Sequence, residues 1–271
     1  MIAILFYSTL GIYGAASIMY LYYLARPGET AARISKWTAV AGFTVHCIFT
    51  VSRYVEAGYT PITNLHESLS FFSLAIVGLY IVFERKYRTV ILGSFVLPVA
   101  LLLMIASSVF PTSILPLAPA LKSRWLFVHT TVAFFGYAAF AVAFCAAIMY
   151  LLQEHFLKNK KLGALYRKLP SLDTLDDINY RCLTIGFPLL TIAIISGAIW
   201  AETAWGAYWS WDPKETWSLI TWFVYAALLH GRLTTGWQGR RAAIFAIAGF
   251  VVLLFTFLGV NLLLPGLHSY N

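Results

Sequence analysis

The sequence predicts an all-α, polytopic membrane protein with about eight transmembrane helices and both termini external, and three observations carry that prediction. Of its 271 residues 60% are hydrophobic and only 11% are charged, whereas a soluble domain carries roughly 25% charged residues to cover its surface. The apolar residues are gathered into runs of about the 20 residues that a helix needs to cross a bilayer. Between these runs the 19 lysines and arginines are divided unevenly over alternate loops.

The first run, residues 4–24, has no basic segment before it and no small-residue cleavage site after it, and so reads as a retained span rather than a signal peptide. A basic loop with Arg26, Arg33 and Lys36 leads to the second run, residues 37–55. The third and fourth, residues 66–83 and 90–110, are separated by Arg85, Lys86 and Arg88. The fifth, residues 125–152, ends in the longest loop, residues 153–180, with Lys158, Lys160, Lys161, Arg167 and Lys168 in it and Arg181 just beyond. The last three are residues 183–203, 214–231 and 242–263, with Arg232, Arg240 and Arg241 before the final one. One set of loops thus holds 15 of the 19 cations, against Arg53, Lys122, Arg124 and Lys214 on the other. Positive loops stay cytoplasmic. Residues 1–271 then form a single membrane domain with no sizeable aqueous part, in a multi-pass protein of the cytoplasmic membrane.

The same placement disposes of several functions. The net charge of +8 lies in juxtamembrane loops that the insertion rule explains, so it is no footprint for nucleic acid. No Gly-rich phosphate cradle occurs in the long loop, which excludes an ATP-driven pump. Cys47, Cys145 and Cys182 are far apart in apolar surroundings and do no thiol chemistry.

The anomaly is tryptophan. Five of the nine, Trp200, Trp205, Trp209, Trp211 and Trp217, fall in residues 200–217, between the sixth and seventh helices and on the external side. Asp212, Pro213 and Glu215 are a helix start, with Asp at the N-cap, Pro at the first helical position and Glu completing a capping box. The residues before them therefore form an aromatic loop rather than helix. An interfacial aromatic belt would spread tryptophans over many helix ends. A single loop that concentrates them suits a large planar apolar ligand.

The run WGAYWSWDPKETWSLITWFVYAALLHGR, residues 205–232, resembles the WWD signature of the CcsA/ResC cytochrome c biogenesis proteins, the heme-handling subunit of the System II heme lyase. Residues 53–72, RYVEAGYTPITNLHESLSFF, resemble a second family pattern, with His66 standing where the family has Tyr and Tyr59 where His is common. The resemblance implies transport of heme, here heme b, across the membrane and its presentation to apocytochrome c, whose CxxCH thiols add to the heme vinyl groups. It also implies heme lyase activity only together with a CcsB/ResB partner. Two other readings stand beside it: heme transfer to a chaperone, as in CcmC, and a bis-His heme b electron carrier.

Six histidines were available for iron. His155 sits in a charged cytoplasmic end, as a solvated residue does. His129, about one turn inside the fifth helix, and His268, just past the eighth, lie at the level of the tryptophan loop. Two imidazoles on opposite faces hold heme iron without an open position, and by resemblance these two match the family's paired external histidines. His46 and His230 lie within spans, where an ionisable group marks a functional path. Their depth puts both in the cytoplasmic half of the bilayer, as ligands for a second heme. Trp205, Trp209, Trp211 and Asp212 are the expected heme-binding residues of the loop. Arg53, Lys122, Arg124 and Lys214 are candidates for its propionates, since Arg pairs with carboxylates in a fork.

Overall fold

The computed structural model describes residues 1–114, 116–117, 119–160 and 163–266. No strand occurs among them. The long helices are α1 (Ile2–Ala25), α2 (Glu29–Ala57), α3 (Leu65–Tyr87), α4 (Gly93–Val109), α5 (Arg124–Lys158), α6 (Leu172–Trp205), α7 (Pro213–Thr234) and α8 (Arg240–Leu254), the last continuing through a π turn, Phe255–Gly259, to Leu263. Seven are long and apolar enough to cross a membrane. The protein is a multi-pass membrane protein.

The expected eight differ from these seven at α7. Its 22 residues are enough to span, but Lys214, Glu215, His230 and Arg232 lower its apolarity. Boundaries differ too, most at α6, which begins at Leu172 rather than at residue 183. Its first three turns carry Asp173, Asp176, Asp177 and Arg181. Hydropathy registers only the apolar part of a helix, and a helix may run on into water.

The chain divides into two compact units: Met1–Leu115 with Leu152–Ser171, and Pro116–Leu151 with Leu172–Asn271. In the first, polar groups join apolar helices, as they do where lipid offers no competing partner. Tyr80 donates to the Tyr20 hydroxyl at 2.8 Å, Ser94 Oγ to the Tyr20 carbonyl at 2.8 Å, and Ser73 Oγ to the Ala100 carbonyl at 2.8 Å. Gly42 lets α1 and α2 approach, since a Cβ there would lie 2.7 Å from the Tyr13 ring.

The second sequence motif is the polar core of this unit. Asn64 caps α3 by accepting from Glu67 N at 2.9 Å, and the Glu67 carboxylate accepts from Thr63 N and Oγ1 at 3.0 Å each. Arg53, 2% exposed, donates through Nε to Glu67 Oε1 at 2.9 Å and through Nη1 to the Thr112 carbonyl at 2.8 Å. Its Nη2 is also 2.9 Å from Oε1 but lies off the hydrogen-bond axis, so the Nε contact is the one that carries the pair. Removing one member of such a pair strands a buried charge, at a cost of about 3–5 kcal/mol. Arg53→Met is therefore expected to lower the thermal melting temperature of the detergent-solubilised protein sharply. The double variant Arg53→Met with Glu67→Leu should recover much of that loss; no recovery would mean that the pair does not act as a unit.

In the second unit, the Phe140 and Tyr225 rings stack at 3.6 Å and 8°, and Asn179 Nδ2 donates to the Ala143 carbonyl at 3.1 Å. Arg232 holds both carboxylate oxygens of Asp176, at 3.0 and 2.8 Å. That fork ties the end of α7 to the polar first turns of α6.

Candidate functional site: the tryptophan loop and His129

The loop between α6 and α7 is set by its helix start. Asp212 accepts from Lys214 N at 3.0 Å, and Glu215 Oε2 accepts from Asp212 N at 3.2 Å and from Ser210 N at 2.8 Å. The capping box that the sequence predicts is complete. Glu215 thus holds residues on both sides of Trp211. That residue is left-handed, with φ 57°, a conformation that costs a non-glycine residue on the order of 1–3 kcal/mol and is retained where surroundings impose it. Gly206, at φ 77°, turns the chain out of α6.

The strain serves display. Trp211 is 68% exposed and its ring stands at 89° to Trp209, with 5.7 Å between centroids. Trp205 instead packs inward, edge-on to Trp200 at 4.9 Å. Of the three expected loop tryptophans, Trp211 is presented, Trp209 is half-buried, and Trp205 is the last residue of α6 rather than part of the loop. Asp212 is buried, and Gly266, beyond α8, lies against it, since a Cβ there would be 2.5 Å from Oδ1.

His129 faces this loop. Its Nδ1 is 2.7 Å from the Ala193 carbonyl, and so Nδ1 carries the proton. In the neutral ring Nε2 then holds the lone pair. A metal-binding imidazole is commonly oriented in this way by a carbonyl on its other nitrogen. Gly197 makes the approach possible, because a Cβ there would sit 2.7 Å from Nδ1. Trp200 lies nearly parallel to the imidazole, 6.4 Å away at 12°.

His129, Tyr208, Trp209, Lys214, Glu215 and Thr256 line one cleft. Thr256 belongs to the π turn of α8, and such turns recur at functional sites. Its hydroxyl joins Thr221 Oγ1 at 2.7 Å, while Lys214 lies over the Phe257 ring at 5.8 Å. The cleft holds only about 70 Å³, far below the roughly 300–1,000 Å³ of an enclosing ligand pocket. A planar ligand here would lie across the loop's exposed face, with the cleft admitting only its edge.

The remaining expected residues are dispersed. His268 lies outside the described residues. His46 is fully buried in the first unit, with Nδ1 3.1 Å from Tyr13 Oη and Nε2 2.9 Å from Ser70 Oγ, the arrangement of a satisfied core histidine. His230, in the second unit, is exposed on α7. Arg53 is committed to Glu67, whereas Lys122 and Arg124 are exposed and Lys214 lines the cleft. Trp200 was expected in the tryptophan cluster, whereas Ala193, Gly197 and Thr256 were not expected at the site. The small run Ser196, Gly197, Ala198 in α6 is where another helix comes close, since a Cβ at Gly197 would meet the His129 ring.

A multi-pass helical membrane protein with a histidine set against a strained tryptophan loop is the class these features define. Residues 62–268 match the family described as cytochrome C assembly protein, and the chain belongs to that family. Among its relatives are the cytochrome c biogenesis proteins CcsA of Guillardia theta, 43% identical over 81% of this chain and 79% of that protein, and of Nostoc punctiforme, 36% identical over 99% and 95%. The fold is similar to a solved structure of the cytochrome c heme lyase CcmF, with a TM-score of 0.66 at 19% identity. That likeness covers 95% of this chain and 47% of CcmF, so the chain spans about half the length of that protein.

Proposed function

We propose that this chain moves heme b across the cytoplasmic membrane and presents it, on the tryptophan loop, to apocytochrome c for covalent attachment. The observation that carries the reading is the His129 imidazole, which the Nδ1–H bond to the Ala193 carbonyl orients in the cleft it shares with Trp209 and Lys214. His268 is the second ligand in this reading, and Trp209, Trp211 and Lys214 bind the macrocycle face and a propionate. Asp212 and Glu215 hold the loop in shape. The relatives' name, cytochrome c biogenesis protein, supports the same process.

In the attachment step each CxxCH thiol loses its hydrogen, a carbon–sulfur bond forms at the α carbon of a vinyl group, and the hydrogen goes to the β carbon. This chain contributes position and ligation; the thiols come from the substrate. His230 serves an inner heme site. An exposed imidazole on a membrane helix suits a ligand shared with a CcsB/ResB partner. His46 could join such a site only by releasing Tyr13 or Ser70.

The optical spectrum of the purified protein, with and without that partner, tests the reading. A bis-His heme signature is expected, and its absence in both preparations would overturn it. Orientation is tested separately. Reporter fusions after Lys168 and after Gln238 are expected to be cytoplasmic and one at Asn271 external; a cytoplasmic C-terminus would separate His268 from an external loop.

A further inference from the structure

The first unit contains a groove that the heme reading does not use. It lies between the start of α2 and the end of α3, with Tyr20 of α1 also lining it, and it holds about 450 Å³. That is the size of a small-molecule site, roughly 300–1,000 Å³. Trp37, Val40, Tyr80 and Ile81 give it apolar walls, and Glu29, Arg33, Lys36, Glu84 and Arg85 share the lining with them.

The lining runs from apolar to cationic along both helices. Arg33 stands one turn before Trp37 on α2, and Arg85 one turn after Ile81 on α3. Each arginine is thus nearer its helix end than the apolar residue on the same face. Trp37 is 67% exposed, so the apolar part opens outward. Tyr80, which is buried, forms the floor, and its hydroxyl is 2.8 Å from Tyr20 Oη and 3.3 Å from the Val90 carbonyl. The phenols are satisfied within the unit and leave a floor fit for hydrocarbon. The charges, by contrast, do not cancel. Lys36 pairs with the buried Glu84 at 2.7 Å, and Glu29, in the first turn of α2, meets the positive end of that helix. Arg33 and Arg85 are exposed and make no ion pair among the described residues.

We propose that this groove holds an anionic phospholipid, with its phosphate on Arg33 and Arg85 and an acyl chain against Trp37, Val40 and Ile81. Guanidinium groups match a phosphodiester, which accepts from them in a fork. Apolar walls that open outward suit a chain arriving from the bilayer, and basic pockets between membrane helices bind anionic headgroups in this way. Heme also joins acidic groups to an apolar body, but no histidine, cysteine or methionine lines the groove for its iron.

The same lining selects among headgroups. The ammonium of phosphatidylethanolamine meets Lys36 and both arginines, which repel it. Phosphatidylglycerol carries no cation, and Glu29 can accept from a hydroxyl of its glycerol. Each arginine near the membrane surface strengthens binding of an anionic lipid by about fivefold, so the two together account for about 25-fold.

The test is native mass spectrometry of the full-length protein in detergent, titrated with phosphatidylglycerol and with phosphatidylethanolamine of the same acyl chains. Wild type is expected to favour phosphatidylglycerol. Arg33→Gln with Arg85→Gln should weaken its binding by about 25-fold, and both positions are exposed, so the fold is spared. Ala32→Trp keeps both arginines and fills the groove, and should block either lipid. Arg26→Gln with Lys86→Gln removes two exposed cations that do not line the groove, and should leave the preference in place. Equal affinity for the two lipids in wild type would overturn the proposal, as would unchanged binding in the double arginine variant or an equal loss in the Arg26 and Lys86 variant. Displacement of the lipid by equimolar heme, or by inorganic phosphate at the same concentration, would overturn it too, since the first makes the groove a heme site and the second leaves the acyl chain no part. None of these residues belongs to the proposed heme site, so either reading can fail while the other stands.

Discussion

Replacing Trp205, Trp209 and Trp211 together by Ala is expected to abolish cytochrome c maturation while leaving the protein in the membrane. Each indole removes 150–250 Å² of aromatic surface at most, and the loop backbone does not depend on them. Ser210 and Asp212 are held by the Glu215 carboxylate, and Asp212 caps α7, so the helix start survives the substitution. What is lost is the platform, above all the Trp211 ring that the left-handed backbone displays. The measurement is heme staining of c-type cytochromes, with immunoblotting for the variant itself. Maturation near the wild-type level would reduce the loop to an interfacial belt.

The second large effect concerns His129. His129→Gly is expected to block heme attachment, and added imidazole to restore it, because a small free ligand can take the place of the missing ring. The structure supplies a companion variant that leaves the histidine in the sequence. Gly197→Ala places a Cβ 2.7 Å from Nδ1, which pushes the ring off the Ala193 carbonyl. It should lower attachment without removing any ligand, and imidazole should not rescue it, since His129 still fills the space. Normal attachment in His129→Gly without imidazole would remove that residue from the site.

Much of the fold was legible because a bilayer imposes a simple code. Apolar length reports spans, and the apolar runs at residues 4–24, 66–83 and 90–110 fall within or close to α1, α3 and α4. The start of α7 was legible for another reason, since capping is local chemistry among Asp212, Pro213 and Glu215. The polar turns at the start of α6 were not, because hydropathy is silent once a helix leaves the apolar layer. The division into two units was not either, since helix partners are chosen by side-chain fit and all the helices are similarly apolar.

The histidines mark the boundary most clearly. Sequence by itself identified a tryptophan-rich segment, a helix cap behind it and a set of histidines in or beside apolar runs, because residue type, spacing and hydropathy are properties of the chain alone. Which ring nitrogen each histidine offers depends on the group facing the other nitrogen, and that group comes from a different helix. The Ala193 carbonyl takes Nδ1 of His129, the Ser107 carbonyl takes Nδ1 of His66, and Tyr13 with Ser70 occupies both nitrogens of His46. Those partners lie 64, 41, 33 and 24 residues away, so only the packing of the helices decided which nitrogen of each histidine is held and by what.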